Sequence, residues 1–527
     1  MFFFVLMRNI ATLILIVALF ASCRKEKASW DSDWRVPLIH DSLTLSKLVT
    51  DSILDINADG SYQLVINRDL LNLNIDSLLQ LPDTVIRQNV AIAVSEVNVP
   101  PGFSFLNETE DHTFEVADLI LKKVVLASGM ADIEISSPIN APTILTLTLP
   151  SVKKDGIVYS KTINAPPGSL SSPSTTREVL DLSGYEIDLT GQDGSSFNII
   201  QSQVSVSSDP NGDPVTVTSQ DTVRFNVEFK KLTPSYARGY FGNQSFSDTT
   251  TFDFDLMNSI VAGAIDLDNI SLNIRVENGL KTSARAKFTQ VQNDGVSGSS
   301  VGLSHPELGP WIWLNQATGD WNSLVPSVHN IQFDQSNSTI EAFLENIPKF
   351  MRVGYAFELN PWGNTSGGYD EFFSHSTVRA FLTANMPLAI GMNNLTYADT
   401  FALNYDNSQG TISVKSGTIE IEASNSYSFD ADLHLEFLDA TNTVLFQKSG
   451  DQKIKGSTSL ANSAPDVEKS KIQITLSEEE TSKLKDLENL VVKAVFDTPQ
   501  SGSISTFYNG QFIAFKLFTN LKLTVKF

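Results

Sequence analysis

The sequence predicts an all-β fold: about three tandem β-sandwich-like modules behind a short N-terminal cap, with very little helix. Three observations carry this reading. Apolar and polar residues alternate with period two, so that "TVRFNVEF" puts Val223, Phe225, Val227 and Phe229 on one face and Arg224, Asn226 and Glu228 on the other. "ISLNIRVEN" and "FDADLHLEF" alternate as cleanly, and this is the pattern of a half-buried strand. Turn dipeptides, Asp155-Gly156, Asn211-Gly212 and Asp294-Gly295, fall between such runs, as hairpins require. Finally, a set of landmarks recurs in constant order at a period near 140 residues.

Each repeat begins with a Thr-Phe pair just after an aspartate, at Thr113-Phe114, Thr251-Phe252 and Thr400-Phe401. Two strands then meet at an asparagine, Asn140, Asn278 or Asn425, placed 27, 27 and 25 residues further on. A hairpin turn follows at Gly156, Gly295 or Asn442, and a later strand ends in a polar residue and proline at Asp209-Pro210, Asn360-Pro361 or Thr498-Pro499. These landmarks divide the chain into a signal segment (1–22), a linker and cap (23–87) and modules at 88–220, 221–375 and 376–527, the last ending in the closing strand "GQFIAFKLF". A module of this length can bury its own apolar faces as two packed layers, so modules meeting end to end predict an elongated rod. Residues 29–87 match no repeat and read as a membrane-proximal cap with a hairpin at "DINADGSYQLVI". Helix is expected mainly in "SEEETSKLKDLENL", where Ser477 and Glu480 form a capping box, with short turns near 43–49 and 75–79.

Cys23 is the only cysteine in 527 residues, so neither an intrachain disulfide nor a cysteine-built metal site is available to it. Arg8-Asn9 precedes an apolar run from Ile10 to Ala21 that ends in Ser22, the order of a secretory signal and too short for a spanning helix. "FASC", residues 20–23, resembles the lipobox of bacterial lipoproteins, with Phe20 where leucine is usual. That resemblance implies cleavage before Cys23 and acylation of its thiol and amino group. Translation can start at Met1 or at Met7, and the alternative reading of the segment is an uncleaved anchor helix. With 60 acidic against 37 basic residues the net charge is −23, which argues against nucleic acid or anionic lipid surfaces as partners of the chain as a whole.

Chemical motifs are few. Asp55, Asn57, Asp59 and Gly60 match the opening of a calcium loop, but Ile66 stands where the bidentate glutamate belongs, so a plain hairpin turn is the better reading and no metal is assigned. "GSSVG" around Ser300, with His305 nearby, has the spacing of a nucleophile elbow, yet Pro306 and Pro310 forbid the helix that must follow it. The six histidines show no metal-ligand spacing, and the carboxylates form no pair that stands out as the acid and base of a glycosidase. Neither a catalytic constellation nor a cofactor is expected. One feature departs from the repeat: the middle module is the longest between its asparagine and proline and holds Trp311, Trp313, Trp321 and Trp362 in loops rich in Gly, Asn and Thr. Flat indoles beside polar groups suit the apolar faces and hydroxyl rims of sugar rings; packing beneath the loops as a small satellite core is the other reading.

With its lipobox, its "WDSDWRVPLIHDSLTL" opening and its Asn- and Asp-rich β modules, the chain resembles, as a class, the large outer-membrane lipoproteins of Bacteroidota. This implies lipidation at Cys23 and attachment to the outer membrane through that lipid. In that class surface export is linked to acidic residues after the cysteine, so the mostly basic "RKEK" favours the periplasmic face. The expected function is a non-enzymatic envelope scaffold or adaptor with a protein partner; the alternative is a glycan-binding surface lipoprotein that uses the tryptophans of the middle module.

Overall fold

Alternating runs become antiparallel strands, and one pairing scheme occurs three times. The computed structural model describes residues 29–49, 53–74, 81–93, 95–114, 116, 118–253, 259–403, 411–457, 466–498 and 503–526. Cys23 with its signal segment, the helical turn expected at 75–79 and Pro499 lie outside the described residues. In the first unit the opening strand Ser104–Thr113 pairs with a return strand, Ile199–Ser208, whose other edge takes Thr143–Lys154. The second layer is built on a long strand, Ile120–Ser137, between Ser174–Asp181 and the closing strand Thr222–Tyr240.

The same connections define the second unit. Pro348–Leu359 lies between Gln244–Asp253 and Ala284–Gly295, and Ser271–Asn278 lies between Ser327–Asp334 and the closing strand Thr377–Pro387. In the third, Asn489–Asp497 joins Ala389–Ala402 to Asp430–Leu438, while Thr411–Asn425 joins Glu468–Leu476 to the closing strand Phe512–Lys526. The layers are separate sheets in the second and third units. In the first, the short strand Glu186–Asp188 pairs with both and joins them along one side. Period two holds in the strands read from the sequence: Val223, Phe225, Val227 and Phe229 are all buried while Arg224 points outward, and burial of each such side chain contributes about 1.5–3 kcal/mol.

Residues 29–91 do not form a cap, and this corrects the sequence reading. They supply one strand to each unit in reverse order. Thr84–Ala91 lies on the closing strand of the first unit, Tyr62–Asn74 on that of the second and Ser29–Thr44 on that of the third. The physical reason is the free edge of each closing strand, whose backbone donors and acceptors need partners. The module boundaries shift as well. The closing strands begin where the sequence reading started the next module, but Thr222–Tyr240 and Thr377–Pro387 pair back onto the unit before. Nor do the units merely abut: Ile260–Leu267 of the second pairs with Ala389–Ala402 of the third, and Asp370–Phe373 of the second pairs with the end of Thr222–Tyr240 in the first.

Two of the repeat landmarks turn out to be buried polar latches. At the end of each long strand a side chain accepts a hydrogen bond from the backbone N–H two residues on: Ser137 from Ile139 (3.4 Å), Asn278 from Leu280 (3.1 Å) and Asn425 from Tyr427 (2.8 Å). The first-unit member is thus Ser137; Asn140 is exposed. At the end of each return strand, Ser208, which takes the place expected of the landmark Asp209, and Asn360 and Thr498 donate to the carbonyls of Pro100, Gly242 and Met392, at 2.6, 3.2 and 3.2 Å. Each of these bonds ties the return strand to the opening strand or to the chain just before it, and all six side chains are buried.

Local signals account for the turns and helices. Asp155 and Gly156 both have positive φ, 51° and 78°, as a two-residue hairpin of the primed type demands. Gly295 instead ends a strand, the turn follows it, and a side chain there would collide with the Asn346 carbonyl. The helix Glu478–Lys483 starts at Ser477 with both bonds of the capping box made, and Leu45–Leu48 forms the expected turn. A further helix, Ile340–Glu345, was not anticipated. Among the described residues no helix is long and apolar enough to cross a membrane.

Inside the first unit a polar chain crosses the core. His112 bonds Ser202 at 2.7 Å, and Ser202 donates to Gln88 of the N-terminal segment at 2.8 Å. Burial lowers the pKa of His112, against the opposing pull of Glu110 and Asp111. Since the folded pKa lies below the unfolded one, protonation favours the unfolded chain: the stabilisation is present above the unfolded value of about 6.5 and is lost as the pH falls through the folded value. Thermal melts from about pH 7 to about pH 5 should therefore show falling stability, and His112→Gln should flatten that fall; an unchanged slope in the variant would place its cause elsewhere.

Candidate functional site

The surface that stands out is built on the outer face of one sheet of the second unit. Ser245, Glu358, Arg285 and Trp313 lie in one row across four neighbouring strands. Because Ile312 and Leu314 point into the core, period two throws Trp311 and Trp313 outward. Arg285 makes an ion pair with Glu358 through Nε at 2.7 Å and Nη2 at 2.5 Å. Its guanidinium lies 4.3 Å from the Trp311 ring centre and 5.2 Å from that of Trp313, with Lys287 Nζ 4.6 Å above Trp311.

Trp362 arrives from a different segment and stacks on Trp313, with ring centres 4.1 Å apart and planes at 22°. Asn360 places it there. This residue has positive φ and is buried; its amide donates to Gly242 O, and its side-chain oxygen accepts from Thr282 and Ser283 at 2.7 and 3.0 Å. Gly363, also at positive φ, closes the turn by donating to Asn360 O. Trp313 remains 48 % exposed and Trp362 59 %, so this pair is not a satellite core. Trp311 is half-buried beneath its cations.

Trp321 makes its contacts elsewhere. It is 43 % exposed and stands edge-on to His375 at 4.9 Å, with Phe373 at 5.9 Å. Lys281 supports its loop by donating to Gly319 O at 2.9 Å and pairs closely with Glu371, which also accepts from Tyr236 at 2.7 Å. Burial pushes Glu371 up, but Lys281 and Tyr236 outweigh it and hold the carboxyl below its usual range. Tyr369, which the sequence reading passed over, is as open as Trp362; Lys122 lies 4.0 Å from its ring centre and Arg238 5.7 Å. It sits in the same "NPWGNTSGGYDEFF" stretch as Trp362, and a search for aromatics rather than indoles would have found it. Tyr369, with cations of the first unit beside it, and Trp321, with Phe373 and His375 beside it, thus lie where the second unit meets the first.

The other candidate residues are occupied locally. Asp59 accepts from Ser61 N and Oγ, Asn57 donates to Ser61, and Asp55 caps its own strand, so the calcium-like stretch is a hairpin turn. Ser300 lies on the short strand Ser300–Gly302 and donates to Asp294, while the His305 ring rests against Phe333. One carboxylate group was not anticipated: Asp266, Glu341 and Glu345 bring oxygens within 4.8 Å of one another, and burial above all raises the pKa of Glu345.

No known protein family matches the chain, and no curated protein does. Among solved structures, a presumed secreted protein of Parabacteroides distasonis aligns over 94 % of this chain and 99 % of its own, at 11 % identity and a TM-score of 0.27. PNGase F, a glycosylasparaginase from Flavobacterium meningosepticum, aligns over 57 % of this chain and 96 % of its own, at 11 % identity and a TM-score of 0.17. Superpositions this loose carry no argument about what this chain does.

The two kinds of residue at this surface should separate in stability. Trp362→Ala, at an exposed ring, should change stability by no more than about 1 kcal/mol, whereas Asn360→Ala, which orphans buried partners, should cost about 2 kcal/mol or more. Chemical denaturation of both variants checks this, and a large loss for Trp362→Ala would return the indoles to the core.

Proposed function

We propose that the chain is a lipid-anchored, non-enzymatic scaffold of the cell envelope, attached at Cys23 to the outer membrane, on its periplasmic face. The observation that supports it is the way the N-terminal segment pairs with all three closing strands. Three units laced in this way present their outer faces at fixed mutual positions, which is what a spacer or adaptor for other envelope components needs. If the anchor is right, Cys23→Ser should abolish incorporation of labelled palmitate and release the protein from the membrane fraction. Retained label would sink the lipoprotein reading.

A second reading is favoured by one observation, the exposed Trp313–Trp362 pair beside the Arg285–Glu358 ion pair. An indole face with hydrogen-bonding groups at its rim suits a saccharide, and this reading makes the middle unit a glycan-binding site. Titration with envelope oligosaccharides should then change indole fluorescence, and Trp362→Ala should weaken binding by about 1 kcal/mol or more. A titration that the variant leaves unaltered would remove this reading and leave the scaffold alone.

A further inference from the structure

We infer that the end of the third unit carrying Trp30 and Trp34 rests on the lipid bilayer, so that the last unit of the chain, not the first, is nearest the membrane. The inference builds on the proposed anchor at Cys23. Trp30 and Trp34 lie on Ser29–Thr44, the edge strand of its sheet, and are 70 % and 50 % exposed. Residues directly opposite on paired strands share a face, so Trp34 stands with Leu521 and Ser32 with Leu523, while Asp31, Asp33 and Arg35 share the other face with Thr524, Lys522 and Asn520.

That second face is busy with ions. Asp31 pairs with Lys415 at 2.8 Å and accepts from Thr524, and Arg35 pairs with Glu420 and Glu422 at 2.7 and 3.0 Å. The strand end is therefore amphipathic, with charges satisfied on one side and two open indoles on the other. The chain leading into it selects the occupant. Trp30 is seven residues after Cys23, and seven residues span at most about 25 Å, so a lipid on Cys23 holds these indoles at the membrane surface. Although the chain as a whole is acidic, Arg24, Lys25 and Lys27 lie in that span against a single Glu26, a local basic excess that complements anionic headgroups. An indole, apolar in body and polar at its N–H, is the side chain most at home at that interface. The first unit, which takes Thr84–Ala91 from the same segment, then lies furthest along the chain from the anchor.

The single cysteine allows a test that does not depend on acylation in the cell. The mature chain, residues 23–527, is coupled through Cys23 to a maleimide lipid in phosphatidylethanolamine–phosphatidylglycerol vesicles, some with brominated acyl chains, which quench indoles that reach the bilayer. The wild-type chain should be quenched, Trp30→Phe/Trp34→Phe should lose most of that quenching, and Trp313→Phe/Trp362→Phe should keep it. Equal quenching of the first variant and the wild type, no quenching of the wild type, or loss of quenching in the second variant would each overturn the inference. Circular dichroism melts check that both variants fold, and single replacements give the same reading if the double one does not. Failure of palmitate labelling in cells would count against the natural anchor alone, because the coupled chain still reports where its indoles lie.

Discussion

A β-strand edge is a row of backbone donors and acceptors that must be paired or left to water. In each of the three units the long strand covers one edge of the closing strand and leaves the other open. The N-terminal segment takes all three open edges in succession, running past the third, second and first units before the chain enters the first opening strand. Pairing of this kind satisfies the backbone and extends the apolar layer beneath it. Ile39 and Leu43, Leu64 and Ile66, and Ile86 and Val90 from these three strands are all buried. The relative placement of the units follows from that shared segment, reinforced by the strand each outer unit receives from the middle one.

The aromatic surface depends on the same economy of buried polar groups. All three units end the return strand with a buried side chain that reaches a carbonyl of the opening strand or of the chain just before it. A group so placed must keep its partners, since an orphaned buried donor costs more than the bond contributes. Among the described residues only the middle unit uses the latch as a pedestal: Asn360 adds two acceptor bonds and a left-handed turn, and Trp362 leaves that turn to stack on Trp313. What differs from unit to unit is thus the loop, held by a scaffold that does not change, in keeping with the general tendency of binding residues to sit on loops.

The strands were legible because alternation is a local property, and "TVRFNVEF" reads the same in isolation as in the sheet. Capping chemistry at Ser477 and Glu480 was legible for the same reason. The landmarks at Asn278, Asn425 and Asn360 marked true equivalences, because a buried side chain bonding to the backbone has few substitutes. In the first unit that choice is Ser137, with the bond made by a hydroxyl instead of an amide, and identity of residue type pointed to the exposed Asn140 instead. Pairing partners were not legible: nothing in "DWRVPLIHDSLTL" names a strand nearly the whole chain away. The carboxylates of Asp266, Glu341 and Glu345 escaped for a related reason, since the helix carrying two of them meets the strand carrying the third only in the fold.

The hydrogen bond between Thr524 and Asp31 joins residues 493 positions apart, and this has a consequence for how the molecule comes into being. In equilibrium terms so large a loop is inexpensive, because closure entropy grows only with the logarithm of length, about 0.6 kcal/mol per doubling. In time it matters more. The three N-terminal strands find their partners in nested order, the first unit within about 240 residues of synthesis, the second within about 390, and the third only when the final strand emerges. Until then Ser29–Thr44, the earliest strand made, is an open edge bearing two indoles, able to pair with the closing strand of another copy. A chain that ends before residue 512 leaves both edges of that strand unpaired. Completion of the C-terminus is in this sense the step that halves the open backbone of the N-terminal strand and fixes it in its own sheet, and a cell making this protein has reason to hold that strand apart until the last one arrives.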